Sequence, residues 1–277
     1  MGPNSWNLLH KEQIKKNDEL NSVILKNRDI DDVKGFLNPP HPQTLIDDPK
    51  LISKDLKKNF TKAKKIILSA IENSLPIIIH GDYDVDGQTA TSILWRTLHN
   101  DLKYKNTFPY IPNRFDEGYG ISKESLKGIR KLLTEKKFAK NCEALLITVD
   151  CGIVSHDEID AAHKDNFQVI LTDHHHPSDT LPKADAIVWT DKATGAGISW
   201  LLANQLFPTK DKYLELAALG TICDLQPLVG INRSIAKFGI EKLNNSDLPF
   251  VEAIKKSAAI TTRIDTYEIG WVIGPRL

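Results

Sequence analysis

The sequence predicts an α/β fold in which a parallel β-sheet is flanked by helices and preceded by a helical N-terminal extension. Short apolar segments alternate with segments of helical periodicity from residue 76 onward, a pattern that is typical of βαβ units. Three of the apolar segments are followed within two residues by aspartate. At 277 residues the chain can form one large domain or two smaller ones.

The N-terminal region, residues 1–75, is polar, and we expect it to be helical and packed on the core. Three prolines in NPPHPQ (38–43) predict an extended turn. The lysine-rich stretch 54–67 has four apolar residues at helical spacing: Leu56, Phe60, Ala63 and Ile67. This spacing predicts an amphipathic helix whose lysines face water.

Residues 76–230 form the predicted α/β domain. The predicted strands are IIIH (77–80), TFPYIP (107–112), ALLITV (144–149), QVILT (168–172) and AIVW (186–189). The predicted helices are TATSILWRTLH, SKESLKGIRKLL with Ser122 as its cap, and SHDEIDAAHK. Residues 231–277 are predicted to be a helical segment that leads toward a second domain.

The composition is that of an ordinary globular protein, with 41% hydrophobic and 26% charged residues and a net charge of zero. Residues 101–140 nevertheless hold ten Lys/Arg against five Asp/Glu, which suits either a phosphate-binding rim or solvated helix faces. The chain lacks an apolar run of about 18 residues and a secretory N-terminal core, so we expect a cytoplasmic protein without membrane contact. Three scattered cysteines predict reduced thiols.

Acidic and histidine residues follow three of the predicted strands. Asp82, Asp84 and Asp86 lie in HGDYDVDG, Asp150 in TVDCG, and Asp173, His174 and His175 in LTDHHHP. Because the carboxyl ends of parallel strands lie along one edge of a sheet, these side chains should converge there. So many acids require protons or cations to neutralise them. Carboxylate and imidazole ligands favour Mn²⁺ or Mg²⁺ over Zn²⁺.

Simpler interpretations explain each motif taken alone. DYDVDG is similar to the start of a calcium loop, but Ile93 occupies the twelfth position, where such a loop requires Glu. Asp150 alone is best interpreted as a turn or helix-cap residue, and the histidines as a surface turn before Pro177. The three motifs at equivalent positions together predict metal binding.

The motifs HGDYDVDGQTATSI, TVDCGI, LTDHHHPSDTLP and LAALGTICDLQPL resemble those of the DHH phosphoesterase superfamily. Within it, PNRFDEGYGIS, LVGINR and VIGPRL resemble segments of the RecJ branch of single-strand-specific exonucleases. The resemblance extends from about residue 25 to the last residue. It implies a hydrolase that removes 5′-mononucleotides from a 5′ end of single-stranded DNA in repair and recombination. A single-strand-binding protein and a helicase are the candidate protein partners.

The resemblance also implies roles for individual residues. Two divalent ions would be held by these ligands: Asp82, Asp84, Asp86, Asp150, His174 and Asp224. Asp82 is either a ligand or an acceptor behind the ligands, and either Asp86 or Asp150 would bridge the ions. His175 would contact the scissile phosphate. The nucleotide path would be lined by Arg114 and the backbone from Gly118 to Gly120, with Asp116 and Glu117 orienting that loop.

Three features within the matched region depart from the resemblance. Cys151 stands where asparagine is common, His176 extends the triplet, and TDKAT replaces the usual Asn-Pro after AIVW. His80 occupies a position where relatives outside the RecJ branch place a ligand histidine, and it is equally consistent with a strand-end residue. The resemblance further implies that the chain stops before a second domain.

Two other functions remain open at this stage. A phosphodiesterase for short oligoribonucleotides or cyclic dinucleotides would use the same metals. A non-catalytic scaffold related to RecJ would be expected to lose metal ligands, whereas this sequence retains the motif residues.

Overall fold

The computed structural model describes residues 9–10, 12–208, 211–246 and 248–277. The first eight residues of the predicted N-terminal region lie outside the described part. The chain divides into two compact units, one up to Pro40 and one from His41 onward. The first unit contains helix α1 (Asn17–Lys26) and the short helix α2 (Val33–Leu37). The division predicted at residues 75 and 230 stays a prediction.

The second unit is built on a five-stranded sheet in which every pairing is parallel. Its strands are β1 (Ile77–His80), β2 (Thr107–Tyr110), β3 (Ala144–Val149), β4 (Phe167–Asp173) and β5 (Ala186–Trp189). Their spatial order is β2-β1-β3-β4-β5. The chain therefore leaves β1 toward one edge and returns to build the rest on its other side. This reversal forms a crevice at the carboxyl ends of β1 and β3, where ligand sites of open α/β sheets lie.

Eight helices of the second unit are described. They are α3 (Lys54–Glu72), α4 (Val85–Arg96), α5 (Lys123–Glu135), α6 (His156–Lys164), α7 (Gly195–Leu206), α8 (Leu214–Cys223), α9 (Gly230–Asn244) and α10 (Pro249–Ser257). Short 3₁₀ turns cover Pro42–Leu45 and Gly274–Arg276, and π turns cover Thr97–Asp101 and Glu268–Ile273. None of the helices in the described ranges is both long and apolar enough to cross a bilayer.

The two faces of the sheet bury separate hydrophobic clusters because successive strand residues point in opposite directions. Ile78 of β1 packs in a cluster that includes Ile129 of α5 and Ile159 of α6. Its neighbours Ile77 and Ile79 belong to the larger cluster with α3, α4, α7, α8 and α9. The sheet is thus covered by helices on both faces, which explains why its strands are continuously apolar.

The predicted α/β fold with a parallel sheet is confirmed. The four apolar residues predicted for the buried face of α3 are buried, and Ser122 caps α5 in a reciprocal box with Ser125. Pro109 is accommodated in β2 because this strand lies at the edge of the sheet and pairs with β1 alone. Helix α4 begins at Val85 rather than Thr89 because the Asp84 side chain caps it by accepting the N–H of Gly87.

Candidate metal centre at the carboxyl edge of the sheet

Asp86 lies in the first turn of α4 and is completely buried. Its two carboxylate oxygens accept the backbone N–H groups of Gly195 and Ala196 at 2.7 and 2.9 Å. Burial, followed by the nearby charge of Asp224, raises the pKa of Asp86 to about 7. The start of α7 therefore fixes this carboxylate in place without neutralising it.

Asp150 follows β3 and adopts a left-handed backbone conformation with a φ of 61°. This region of backbone space is costly for residues other than glycine, although Asp and Asn enter it more readily than most. Its side chain is buried, and burial followed by the charge of Asp86 raises its pKa well above the usual range. A side chain at Gly195 would collide with the Asp150 carboxylate, so α7 must approach through a glycine.

His174 lies just beyond β4 and is also buried. Its Nε2 atom is 3.0 Å from Asp150 Oδ1, 3.8 Å from Asp86 Oδ2 and 3.9 Å from Asp224 Oδ2. Burial, followed by the charge of His175, lowers the pKa of His174 to about 4. The imidazole is therefore neutral at physiological pH, which is the form that ligates metals.

The remaining acids close the cluster from two directions. Asp82 and Asp84 come from the loop after β1, and Asp224 caps the C-terminus of α8. Burial raises the pKa of Asp82 and of Asp224 to about 6. A Cβ on Gly220 would collide with Asp86, so glycine is required where α8 passes α4.

These side chains form three overlapping groups in which the ligand atoms lie within 4.8 Å of one another. One group is Asp82, Asp84 and Asp150, a second is Asp86, His174 and Asp224, and a third is Asp150, His174 and His175. The structure thus brings together the six residues predicted as metal ligands. The first two groups share no residue, an arrangement that has room for two cations.

Four buried atoms of this cluster lack a hydrogen-bond partner among the described residues. They are Asp82 Oδ1, Asp150 Oδ1, His174 Nε2 and Asp224 Oδ2. His174 Nε2 and Asp150 Oδ1 are close, but they are not aligned as a hydrogen bond. Buried polar atoms are normally paired because an unpaired one costs free energy. Oxygen and imidazole donors left in this way fit a pair of Mn²⁺ or Mg²⁺ ions.

Asp173 differs from the other buried carboxylates because it is saturated with donors. It accepts N–H groups from Ile153, His174 and His175, and the His175 Nδ1 atom lies 2.7 Å from its Oδ1. Burial alone would raise its pKa, but the hydrogen bonds, led by the His175 side chain, lower it below the usual range. The hydrogen bond with Asp173 in turn raises the pKa of His175. Asp173 therefore orients the His175 ring and favours its protonated form.

The loop between β2 and α5 forms the exposed side of the centre. Gly118 and Gly120 have φ angles of 81° and 65°, which glycine adopts without strain. They flank Tyr119, whose hydroxyl lies 3.3 Å from His175 Nε2. Arg114 stacks its guanidinium over the ring of Tyr83, 5.1 Å from its centre. The residues predicted to line a nucleotide path therefore border the metal cluster.

His80 and Cys151 form a separate pair beneath the centre. Both are fully buried, with Cys151 Sγ 3.8 Å from His80 Nδ1. His80 also stacks on Tyr110 with 5.7 Å between ring centres. His80 is absent from the three ligand groups of the described residues, which favours the strand-end interpretation of this histidine.

Several contributors were not predicted from the sequence. Tyr119 reaches His175, and the TDKAT segment before α7 supplies Thr194, which caps α7 so that its first N–H groups point at Asp86. Gln226 contacts the far side of His174. The GYG triplet could have indicated Tyr119, because glycines on both sides of an aromatic predict an exposed loop tip. The contacts of TDKAT and Gln226 have no local signal.

Comparison with known proteins agrees with this geometry. The family described as "DHH family, N-terminal domain" matches residues 76–221. The RecJ single-stranded-DNA-specific exonuclease of Bacillus subtilis is 37% identical over 79% of this chain and 28% of its own length. That of Thermus thermophilus is 33% identical over 83% of this chain and 34% of its own length. The chain spans about a third of the length of these curated relatives.

Solved structures show the same likeness. A crystal structure of the exonuclease RecJ bound to manganese matches with a TM-score of 0.67 and 32% identity, covering 79% of this chain and 56% of that one. RecJ of Thermus thermophilus in complex with Mn²⁺ matches with a TM-score of 0.68 and 28% identity, covering 92% and 36%. The predicted resemblance is confirmed: with the family match spanning more than half of its residues, this chain belongs to the DHH family.

Proposed function

We propose that this chain carries the catalytic centre of a metal-dependent 5′-to-3′ exonuclease, which hydrolyses single-stranded DNA to 5′-mononucleotides. The observation that carries the proposal is the set of buried, unpaired oxygen and nitrogen atoms that four separate segments direct into one cluster. The similarity to RecJ exonucleases supports single-stranded DNA as the substrate. A cytoplasmic location, and a single-strand-binding protein and a helicase as partners, are further parts of the proposal.

Two Mn²⁺ or Mg²⁺ ions would be held by the six predicted ligands. When bound, such ions supply an activated water and neutralise charge on the phosphate oxygens. Asp86 is fixed by two N–H groups of α7 and Asp150 by its strand end. The protein therefore holds its ligands in place before substrate arrives, which avoids reorganisation during the reaction.

In this proposal, His175 contacts the scissile phosphate. Its side chain is 44% exposed at the mouth of the centre, and the hydrogen bond with Asp173 raises its pKa and so favours the protonated form. A protonated imidazole can donate a charge-assisted hydrogen bond to a phosphate oxygen as negative charge develops. Tyr119, beside His175, can hold the ring or contact the same phosphate.

The exposed loop supports binding of single strands. Phe115 is 93% exposed and Tyr119 54% exposed, and both lie within five residues of Arg114. Aromatic rings beside cations are the usual way to bind unpaired bases and their phosphates without sequence preference. A blunt duplex would present neither unstacked bases nor a single backbone to this loop.

The decisive experiment has two parts. Titration calorimetry should detect Mn²⁺ binding in the millimolar range or tighter, and Mn²⁺ should raise the melting temperature by mass action. Single-stranded DNA labelled at the 5′ end should then release labelled mononucleotide first, while blunt duplex should resist. Absence of metal binding would refute the centre. Rapid cleavage of circular single strands or a preference for cyclic dinucleotides would refute the proposed substrate, and metal binding without hydrolysis would indicate a scaffold.

A further inference from the structure

His174 is held from behind by an amide. Its Nε2 atom faces Asp86, Asp150 and Asp224, while its Nδ1 atom lies 2.5 Å from Nε2 of Gln226. Gln226 stands two residues beyond Asp224, in the turn between α8 and α9. The two ring nitrogens of His174 therefore have different surroundings, one carboxylate-lined and one amide-lined.

Gln226 is itself held by a buried side chain. Asn232, in the first turn of α9, is 3% exposed and lies with its Nδ2 atom 3.3 Å from Gln226 Oε1. Asn232 Oδ1 is buried and lacks a hydrogen-bond partner among the described residues. The two amides thus connect α9 to the imidazole through hydrogen bonds. Asn232 Oδ1 remains available as an acceptor.

The position of the proton on the His174 ring determines which hydrogen bond Gln226 must make. A neutral ring carries one proton, so Nε2 can offer its lone pair to a cation only when Nδ1 holds the proton. Histidines that ligate metals almost always donate that second N–H to an oxygen. Here the atom within reach of Nδ1 belongs to Gln226, and an amide presents either its oxygen or its nitrogen when it turns over.

We propose that Gln226, held by Asn232, is the positioning residue that sets the tautomer of His174 for metal ligation. With a cation on Nε2, Gln226 Oε1 accepts the N–H of Nδ1, and Gln226 Nε2 donates to Asn232 Oδ1. Without a cation, both amides are turned over, Nδ1 accepts from Gln226, and the Nε2 proton faces the carboxylates. The inference rests on the proposed metal centre and identifies a residue outside its ligands.

An amide suits this position better than other side chains. A carboxylate can only accept, so it would keep the proton on Nδ1 at all times and add charge to an acidic cluster. An apolar side chain would leave Nδ1 unpaired in a buried site. Glutamine supports both tautomers, so the Nδ1 atom of His174 has a hydrogen-bond partner before and after the cation binds.

The test combines three variants with a direct measurement of the tautomer. Gln226→Met keeps the length of the side chain and removes its hydrogen bonds, and we expect it to weaken Mn²⁺ affinity by about 10- to 100-fold. Gln226→Glu restores an acceptor and should bind Mn²⁺ at least as tightly as the original chain. The matched control is Gln88→Met, because the Gln88 amide donates to Tyr83 O at 2.7 Å, near the centre but away from His174.

The tautomer is measured on the unaltered chain by ¹⁵N NMR of labelled histidines, with His174 assigned through a His174→Gln variant. With Mg²⁺, the Nδ1 of His174 should carry the proton; without metal, Nε2 should carry it; in Gln226→Glu, Nδ1 should carry it in both states. An unchanged tautomer on Mg²⁺ binding, or Mn²⁺ affinity of Gln226→Met within twofold of the original chain, would overturn the inference while leaving the metal centre intact. Failure of the unaltered chain to bind either metal would overturn the proposed function instead.

Discussion

The metal cluster and the loop between β2 and α5 border the same crevice but are built by opposite means. The cluster is buried, and backbone N–H groups of α7 fix its central acid, Asp86. The loop turns through Gly118 and Gly120 and leaves Phe115 almost completely exposed. Ligation of cations requires fixed distances between the ligand atoms. Binding of single-stranded DNA of any sequence instead requires a surface that can adapt to different bases. The two regions should therefore respond separately to mutation.

A change in the cluster should have the largest effect. Asp150→Asn retains a residue that tolerates the φ of 61° and removes the carboxylate shared by two of the ligand groups. We expect Mn²⁺ affinity and nuclease activity to fall by more than about 100-fold, because loss of a ligand should exceed loss of an outer contact. Calorimetry and release of mononucleotides measure the two quantities.

The control for this change is Asp116→Ala, which removes an exposed acid of the loop that belongs to none of the ligand groups in the described residues. Its Mn²⁺ affinity should equal that of the original chain. If Asp116→Ala weakened Mn²⁺ binding as much as Asp150→Asn, the separation between cluster and loop would be wrong.

A change at Asp173 tests whether this buried carboxylate acts on His175 rather than as a metal ligand. It is as buried as Asp86, but its donors lower its pKa, whereas Asp86 has its pKa raised to about 7. Asp173→Asn removes the carboxylate that raises the pKa of His175. His175 would then lose its proton at a lower pH, so the alkaline limb of the pH–rate profile should move to lower pH.

We expect Asp173→Asn to reduce kcat at neutral pH by up to about 100-fold, the lower end of the about 10²- to 10⁴-fold that a positioned proton donor contributes, with a smaller change in Mn²⁺ affinity. In a chain that already carries His175→Gln, the additional change Asp173→Asn should cause no further fall in kcat. A pH–rate profile that keeps its alkaline limb in Asp173→Asn would show that His175 does not act as a protonated donor.

The sequence predicted the fold and the gathering of these acids because both depend on simple periodicity. Parallel apolar strands end at the same edge of the sheet. Asp82, Asp86 and Asp150, which follow such strands, are therefore expected to lie together without any knowledge of the loop conformations. Asp224 required the family resemblance, since an aspartate after an apolar helix has many ordinary uses. The ligand assignment itself stays a prediction.

The supporting contacts could not be predicted in the same way. Asp173 belongs to the most recognisable motif, yet its role as the partner of His175 depends on N–H groups supplied by Ile153 and by its own turn. Gln226 reaches His174 across 52 residues of sequence. Such hydrogen bonds arise from tertiary packing, which local pattern does not record.

A change in the loop should have a moderate effect that is confined to the binding of single-stranded DNA. Phe115→Ala and Tyr119→Ala should each raise KM for single-stranded DNA by about 5- to 150-fold, because stacking of a base contributes about 1–3 kcal/mol. Mn²⁺ affinity should stay unchanged. Phe207→Ala is the control, since Phe207 follows α7 and lies a helix length, about 18 Å, from the N-terminus that holds Asp86. Loss of metal affinity in Phe115→Ala would contradict the division.

The smallest effect is expected below the cluster, at His80. Burial lowers its pKa to about 4 from an ordinary value of 6.5. As pH falls from 6.5 toward 4, the unfolded chain takes up a proton that the folded chain refuses, so folding stability decreases, by at most about 1.4 kcal/mol per pH unit. His80→Gln removes this contribution of His80 to the pH dependence of the free energy of unfolding. The melting temperature of the variant should therefore fall less between pH 7 and pH 5 than that of the original chain, when both are measured without metal. Mn²⁺ affinity at pH 7.5 should be equal in the two chains, because His80 belongs to none of the three ligand groups of the described residues and its Nδ1 atom lies beside Cys151. A tenfold loss of Mn²⁺ affinity in His80→Gln would instead make His80 a ligand and extend the cluster beneath the sheet edge.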